Sequence, residues 1–323
     1  MFIKQPLRTL FKIFIQKVPV EAQLIVTRQC NLSCGYCCEY DNYSPPIPVS
    51  VLKKRIDVLH RLGVINIALL GGEPLLHPQI AELVAYANRK AQVSITTNGF
   101  LLSDRLIEKL NKAGLSNMQI SVDSLYPDPD LYIQKSLKSL SPKLNRLLEK
   151  ARFDFHVKIV LCEFNKDQLI ATIQELNKLG IAVSVNLIHN HHGCIDIHGE
   201  EYIRLWDYSF QWAPLIAWAE YDYGRQLLQG KRPVWLCRGG ARFLYVDEFG
   251  NVQYCSQQIG RLNKPITQFT KKDVLKNLKT PKGCERGCAV FCVYRSSLVD
   301  SSPTTWMKVF YQSLVGKRII RFF

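Results

Sequence analysis

The chain has 323 residues, of which 47% are hydrophobic, and a formal net charge of +15 at pH 7. This composition is typical of a globular protein with one large core, and it excludes disorder over most of the length. No stretch approaches the roughly 18 uncharged apolar residues that a membrane-spanning helix needs. The sequence also lacks the apolar region of a secretory signal. Its eleven cysteines therefore favour metal ligation in the cytoplasm over a disulfide framework.

Residues 1–21 form a basic amphipathic segment. The first twenty hold four Lys or Arg and no acid, and their apolar side chains follow one helix face: Leu7, Leu10, Phe11, Phe14 and Val18. We expect this helix to dock on the folded core with its basic face in solvent. The alternative is a peripheral helix on an anionic membrane surface. Residues 301–323 form a tail of similar basic and aromatic character.

Strand-like and helix-like segments alternate between residues 22 and 199. The strand-like segments are short, β-branched and mostly apolar: residues 22–28, 65–72, 93–99, 118–124, 156–162 and 182–189. Helical patterns lie between them: residues 50–62, 78–90, 103–113, 139–152 and 166–179. This order predicts an α/β fold with a parallel sheet, either doubly wound or curved into a partial barrel. The site is then expected at the carboxyl ends of the strands.

The pattern changes after residue 199. Residues 200–229 form a helical connection that we expect to break near Pro214. Residues 230–300 are rich in short strands, glycines and cysteines, which predicts a small metal-stapled domain. Within it, a hairpin with its turn at Asp-Glu-Phe-Gly-Asn lies between Cys237 and Cys255.

Three cysteines follow the first predicted strand in the stretch Cys-Asn-Leu-Ser-Cys-Gly-Tyr-Cys. Thiolates suit zinc or iron–sulfur clusters. Structural zinc generally takes four ligands in two close pairs, so Cys30, Cys34 and Cys37 fit it poorly. Three thiolates on a [4Fe–4S] cluster leave one iron open. The missing ligand is then a substrate or cofactor.

The Cys-x₃-Cys-x₂-Cys spacing resembles the signature of radical S-adenosylmethionine (SAM) enzymes. The resemblance extends through Gly-Gly-Glu-Pro at 71–74, Thr-Thr-Asn-Gly at 96–99 and Ser-Val-Asp at 121–123, and covers residues 22 to about 190. It implies a partial (βα)6 TIM-type barrel and a [4Fe–4S] cluster whose open iron binds SAM. A reductant such as flavodoxin or ferredoxin would drive SAM cleavage to a 5′-deoxyadenosyl radical.

The resemblance also implies roles for individual residues. The three cysteines are the catalytic cluster ligands. Gly71 and Gly72 permit close backbone approach, and Glu73 accepts from the ammonium group of SAM. The residues expected to hold the ribose and methionine part are Thr97, Asn98, Ser121 and Asp123. Lys158 matches a basic residue that binds the SAM carboxylate in some relatives, although a lysine at this position can equally pair with a core acid.

A second cysteine group lies near the end of the chain: Cys237, Cys255, Cys284, Cys288 and Cys292. With Gly250 before its second cysteine, the segment resembles the SPASM/Twitch extension of radical SAM enzymes. The full SPASM pattern has seven cysteines and two auxiliary clusters. We therefore expect one auxiliary [4Fe–4S] cluster, bound by Cys237, Cys255 and two of the other three. A zinc site with four cysteines is the alternative.

The remaining cysteines and histidines carry less weight. We interpret Cys38 and Cys162 as structural. The loop His-Asn-His-His-Gly-Cys at 189–194 is expected to line the pocket, with His189 or His191 as substrate contacts.

The sequence therefore predicts a radical SAM enzyme that acts on a small-molecule or lipid-linked substrate. A peptide-modifying enzyme is the alternative, and we rank it lower because only 21 residues precede the first strand, too few for an N-terminal peptide-binding domain. A non-catalytic iron–sulfur electron carrier would not need the Gly-Gly-Glu-Pro motif or six βα units. Nucleic acid is an unlikely partner, because the charge is concentrated at the apolar ends of the chain.

Overall fold

The computed structural model describes residues 6–37, 39–128, 134–211, 217–304, 307 and 311. The strands of this part are β1 (Glu21–Thr27), β2 (Asn66–Gly71), β3 (Gln92–Thr97), β4 (Asn117–Ser121), β5 (Asp154–Leu161), β6 (Val183–Leu187), β7 (Phe243–Val246), β8 (Asn251–Gln253) and β9 (Lys264–Pro265). The helices are α1 (Pro6–Phe14), α2 (Val49–Arg61), α3 (Ile80–Asn88), α4 (Asp104–Ala113), α5 (Leu137–Lys150), α6 (Leu169–Lys178), α7 (Glu200–Ser209), α8 (Trp218–Leu228), α9 (Lys271–Lys279) and α10 (Phe291–Ser297).

The six predicted βα units are present in the predicted order. Strands β1 to β6 are neighbours in sequence order, and every pair is parallel. One face of each strand is apolar and packs on the helices. In β1 these residues are Ala22, Leu24 and Val26, all buried in the main core. The α/β fold and its parallel sheet are therefore confirmed, and each predicted boundary of these strands and helices lies within three residues of the observed one.

The C-terminal part joins the same sheet instead of forming a separate one. Strand β7 pairs in parallel with β1, and β8 and β9 continue the sheet as antiparallel strands. The predicted hairpin is present between β7 and β8, and Gly250 in its turn has a positive φ of 88°. All four residues of β7 are buried. By pairing with β1, this short strand covers an edge that would otherwise expose unpaired backbone groups.

Two helices of the connection and one of the C-terminal part pack together. Helices α7 and α8 lie on either side of residues 212–216, so the predicted break at Pro214 lies outside the described residues. Glu220 on α8 accepts from the guanidinium of Arg295 on α10, with Nη2 2.9 Å from Oε2. This ion pair holds α10 beside α8.

Helix α1 has the predicted amphipathic spacing, but our expectation that its apolar face docks on the core is wrong for the part of the chain that is described. Leu7 is 82% exposed, Phe11 53% and Ile15 67%. Of the five residues predicted for the apolar face, Val18 alone is buried, and it follows the end of the helix. The basic, aromatic tail of residues 301–323 lies mostly outside the described residues. Within those residues, no helix is long and apolar enough to cross a membrane.

Candidate active site

The loop that carries the first three cysteines is braced by the end of β2. The amide of Gly72 donates to the carbonyl of Thr27 at 3.0 Å, and the amide of Glu73 donates to that of Gln29 at 2.8 Å. A Cβ on Gly71 would lie 1.9 Å from the Thr27 carbonyl oxygen, and one on Gly72 would lie 2.4 Å from two backbone oxygens. Both positions therefore require glycine. The predicted close backbone approach at these two glycines is present, and the backbone that they approach is that of the cysteine loop.

Glu73 links the ends of β2 and β3. Its side chain is fully buried, and Oε1 accepts from the Leu75 amide at 2.9 Å and from Thr97 Oγ1 at 2.7 Å. Oε2 accepts from the Asn98 amide at 2.7 Å. Burial raises the pKa of Glu73, and these hydrogen bonds oppose the increase. Because Oε2 accepts only this one bond from the described residues, it retains acceptor capacity for an ammonium group.

Backbone amides and the Asn98 side chain contact two sulfurs of the cysteine trio. Cys30 Sγ accepts from the Leu32 amide at 3.4 Å and is 3.9 Å from Asn98 Nδ2. Cys37 Sγ accepts from the Glu39 amide at 3.5 Å. Burial raises the pKa of Cys30 and Cys34, so iron binding must displace the thiol protons. These residues fit a [4Fe–4S] cluster held by three thiolates.

Over residues 6–304, apart from the undescribed gaps, no three His, Cys, Asp or Glu side chains are close enough to hold one metal ion. Cys38, which we interpret as structural, lies outside the described residues, while Cys162 is buried at the end of β5 as expected.

Sequence reasoning missed Lys135, which lies beside the trio. Tyr36 Oη donates to Asp123 Oδ2 at 2.8 Å, and Lys135 Nζ is 3.3 Å from the same oxygen and donates to Tyr36. Burial lowers the pKa of Lys135, but the charges of Asp123, Cys34 and Cys37 outweigh it and raise this pKa. The predicted ligand-binding residue Asp123 thus holds a buried cation near the cysteines. Lys135 belongs to no motif, and its position before α5 is the only sequence signal.

Lys158 lies opposite Ser121 on the neighbouring strand, but its partner is not the one expected. Its Nζ donates to Asn186 Oδ1 at 2.7 Å, so it pairs with an amide and not with a core acid. Burial, followed by the charge of Arg295, lowers the pKa of Lys158 to about 7. The charges that act on Lys158 are those of Arg295, Glu220, Cys292 and Glu21, and none of them belongs to the cysteine trio.

The second cysteine group converges on one cavity. Cys237, Cys255, Cys284 and Cys288 line one small cavity, whereas Cys292 does not line it. Cys237 Sγ accepts from the Gly239 amide at 3.4 Å. Burial raises the pKa of Cys237 to about 12 and that of Cys255 to about 11. His192 of the predicted pocket loop also lines this cavity, and the substrate contacts expected of His189 or His191 remain predictions.

An ion-pair network connects the first cysteine loop with the C-terminal part. The guanidinium of Arg28 donates to Glu39 Oε2 at 2.6 Å and to Glu248 Oε2 at 2.8 Å. Tyr245 Oη donates to the same Glu39 oxygen at 2.7 Å. The cysteine loop is therefore anchored on both sides, by β2 and by the β7–β8 hairpin.

A parallel sheet that presents three cysteines at its carboxyl edge, braced by a Gly-Gly-Glu segment, defines a radical SAM enzyme. The chain belongs to the radical SAM superfamily, whose family profile matches residues 24–205. The predicted enzyme class is confirmed, and with it the use of SAM and a [4Fe–4S] cluster. The roles of individual residues remain predictions, as does the SPASM/Twitch assignment.

Curated relatives match part of the chain. The GTP 3′,8-cyclase of Chlorobaculum tepidum is 35% identical over 160 residues, which are 47% of this chain and 48% of that protein. The GTP 3′,8-cyclase of Syntrophomonas wolfei is 31% identical over 173 residues, which are 50% and 52%. The chain thus spans about half the length of the curated relatives it matches.

Solved structures match more of the chain at lower identity. Streptococcus suis SuiB bound to precursor peptide SuiA has a TM-score of 0.61 at 17% identity, covering 84% of this chain and 68% of that one. Native anSMEcpe with bound AdoMet and a peptide has a TM-score of 0.59 at 15% identity, covering 94% and 100%. These similarities show the fold alone.

We predict that Lys135 raises the reduction potential of the first cluster. A nearby cation stabilises the more negative, reduced form, so Lys135→Met should lower the midpoint potential by on the order of 50 mV. The measurement is an anaerobic redox titration followed by electron paramagnetic resonance (EPR), with the iron content of each sample determined.

Lys138 provides the matched control, since it is exposed on α5 and Lys138→Met should leave the potential unchanged. An unaltered potential in a fully loaded Lys135→Met protein would contradict the electrostatic role of Lys135.

Proposed function

We propose that Cys30, Cys34 and Cys37 hold three irons of a [4Fe–4S] cluster and leave the fourth open to SAM, and that the enzyme modifies a small-molecule or lipid-linked substrate. The observation that carries this proposal is the position of the trio. Its loop is fixed at the carboxyl edge of β1 by backbone bonds from Gly72 and Glu73, and Asn98 reaches it from β3, with Nδ2 2.8 Å from Asn31 Oδ1.

The chain's own residues bind and orient the reactants. When bound and reduced, the cluster and SAM supply a 5′-deoxyadenosyl radical, the difficult part of the chemistry. Glu73 Oε2 is the acceptor for the SAM ammonium group, while Ser121, at the end of β4, and Asn98 face the methionine and ribose part. The electron would come from a carrier such as flavodoxin or ferredoxin.

The first prediction from this proposal concerns SAM cleavage. Anaerobically reconstituted protein with dithionite and SAM should release 5′-deoxyadenosine, measured by chromatography. Cys34→Ala should abolish this product and the EPR signal of the first cluster, because two thiolates do not hold the cluster in place. Cys162→Ala is the matched control, since Cys162 is buried and its Sγ donates to the Val160 carbonyl at 3.3 Å.

Persistence of 5′-deoxyadenosine formation in Cys34→Ala would contradict the proposal. If wild-type protein gives no product, SAM-induced change in the EPR spectrum of the reduced cluster is the second measurement. A spectrum that is identical with and without SAM excludes an open iron that binds SAM.

We also propose that Cys237, Cys255, Cys284 and Cys288 bind an auxiliary [4Fe–4S] cluster. These four thiols face one cavity, and a complete set of four suits a cluster for electron transfer. Cys292 packs in the same cluster as Cys255, but it does not line this cavity. This assignment selects two of the three C-terminal cysteines that the sequence left open.

Iron content tests this ligand set. The reconstituted wild type should hold about eight irons per chain, from two four-iron clusters. Cys284→Ser should lower this to about four, whereas Cys292→Ser, its matched control, should retain about eight. Equal loss in the two variants would contradict the assignment, and bound zinc in place of the second set of four irons would favour the zinc alternative.

The substrate class rests on weaker support. The matched relatives are named GTP 3′,8-cyclases, which makes a purine nucleotide the first small molecule to test. A peptide remains the alternative, because solved structures of the same fold contain bound peptides. The similarity to the cyclases covers only half of each protein, so their activity is not transferred to this chain.

A membrane-associated substrate is favoured by one further observation. Helix α1 presents apolar side chains to solvent, including Leu7 and Phe11, on a segment that carries Arg8, Lys12 and Lys17 and no acid. Apolar burial and attraction to anionic lipid add together in such a helix. We therefore propose that α1 lies on an anionic membrane surface.

Vesicle flotation tests this contact. Protein should float with anionic vesicles at low salt, and Phe11→Glu should reduce the floated fraction several-fold, because it removes apolar burial and adds a repelled charge. Phe249 is the control, since it is 80% exposed in the β7–β8 turn and Phe249→Glu should float like the wild type. Protein that stays unbound, or binds neutral and anionic vesicles equally, contradicts the proposal.

A further inference from the structure

Three exposed arginines lie beside residues 282–288, the segment that carries two of the proposed auxiliary ligands. Arg261 donates from Nη2 to the first carbonyl of this segment. Arg232 lies at the other end, where a Cβ on Gly287 would be 3.3 Å from its Nε. Arg286 belongs to the segment itself, and all three arginines are exposed. Positive charge is therefore concentrated next to the second cysteine group.

Exposed apolar side chains lie beside the same cavity. Val234 and Leu236 are 66% and 69% exposed, and they flank Trp235, which lines the cavity. Ile259 is 53% exposed and follows Gln258, which also lines it. A single exposed apolar residue needs no explanation. Apolar side chains interspersed with arginines, however, are typical of surfaces that bind another protein.

We call this surface the auxiliary rim, and it consists of Arg232, Val234, Leu236, Ile259, Arg261 and Arg286. Its positive charge is not neutralised by neighbouring acids. Arg261 also donates to Gln258 Oε1 at 2.6 Å, and Arg232 Nη2 is 4.0 Å from the sulfur of Cys194. In the described part of the chain, no carboxylate forms an ion pair with any of the three arginines.

One acid lines the cavity beneath the rim, and a backbone group already binds it. Glu285 is this acid, and its Oε1 accepts from the Lys282 amide at 2.6 Å. The redox-active groups lie close to the surface at this point, because Cys284 and Cys288 are both partly exposed. The rim thus combines uncompensated positive charge, exposed apolar area and a shallow cysteine site.

We propose that the auxiliary rim is the docking surface for an acidic one-electron carrier protein. This inference rests on the proposed function, because the carrier delivers its electron to the proposed auxiliary cluster. In the complex the reduced carrier loses one electron and the cluster gains it, so that no further reactant is needed. The rim therefore places the entry of electrons at the second cysteine group.

The composition of the rim suits a transient complex of this kind. Opposite charges accelerate encounter and orient the partners, while a few apolar contacts hold them briefly. Electron-transfer complexes bury less area than stable assemblies, so a surface of six residues is sufficient. A nucleic acid would also bind arginines, but the three exposed apolar side chains offer nothing to a phosphate backbone.

Calorimetric titration of the reconstituted holoenzyme tests the rim. The probes are oxidised flavodoxin and a [2Fe–2S] ferredoxin, two acidic carriers. We expect at least one to bind at low ionic strength. Raising the ionic strength from about 0.05 M to about 0.3 M should weaken this binding several-fold, because salt screens the charges that attract the carrier.

Charge-reversed variants connect the binding with the rim. Arg286→Glu and Arg232→Glu should each weaken binding about tenfold, because the carrier then meets a repelling charge. Arg286→Lys keeps the charge and should bind like the wild type. Lys109, which is exposed on α4, provides the matched control, since Lys109→Glu makes the same change of charge on the barrel and should not alter binding. The iron content of each variant is measured alongside.

Electron delivery is measured in Cys34→Ala, which is predicted to lack the first cluster. An iron–sulfur EPR signal that reduced flavodoxin produces in this variant therefore belongs to the auxiliary cluster. Adding Arg286→Glu should slow the appearance of this signal several-fold, whereas adding Lys109→Glu should not. A signal that dithionite produces and reduced flavodoxin does not would overturn delivery to this cluster.

The binding measurements have outcomes that overturn the inference. These are failure of both carriers to bind, binding that neither charge reversal weakens, and Arg286→Lys binding as weakly as Arg286→Glu. Tighter binding of a short RNA than of either carrier, lost in the same variants, would overturn the assignment to a carrier. The titration requires no SAM cleavage. Wild type that binds a carrier but forms no 5′-deoxyadenosine would therefore count against the proposed function and not against the rim.

Discussion

The backbone contact between the Gly-Gly-Glu segment and the first cysteine loop determines where the chemistry can take place. The two segments approach so closely that a methyl group at Gly71 or Gly72 would overlap backbone oxygens of the loop. At this distance the amides of Gly72 and Glu73 donate hydrogen bonds to the carbonyls of Thr27 and Gln29. Glu73 then extends the contact to the third strand through Thr97 and Asn98. The cysteine trio is thus positioned by rigid strand ends, as a site that must hold reactants in one geometry requires.

The C-terminal part completes this support from the other edge of β1. Strand β7 pairs with β1 directly, and Arg28 joins Glu39 in the cysteine loop to Glu248 in the β7–β8 hairpin. The hairpin is flanked by Cys237 and Cys255 of the second cysteine group. Both groups are therefore attached to one sheet, and a change in the hairpin acts on the first loop through a partly buried ion pair.

The sequence predicted what depends on local pattern and missed what depends on distant contacts. Six βα units follow from short apolar segments alternating with helical ones, and the convergence of Glu73, Thr97 and Asn98 follows because parallel strands end at one edge. The pairing of β7 with β1 was not predictable, because a four-residue apolar strand does not specify its partner. Lys135 was missed because its neighbours come from other segments. The orientation of α1 was predicted wrongly because amphipathic spacing identifies an apolar face but not what covers it.

The two buried lysines demonstrate how neighbours decide the role of a residue type. Lys135 lies beside Asp123 and cysteines, which raise its pKa, so its charge is already compensated within the protein. Burial, followed by the charge of Arg295, lowers the pKa of Lys158 to about 7, and the acid Glu220 pairs with Arg295. The first lysine thus stabilises negative charge that the cysteine loop provides. The second has no such acidic partner among the described residues, and its hydrogen bond goes to the side-chain oxygen of Asn186.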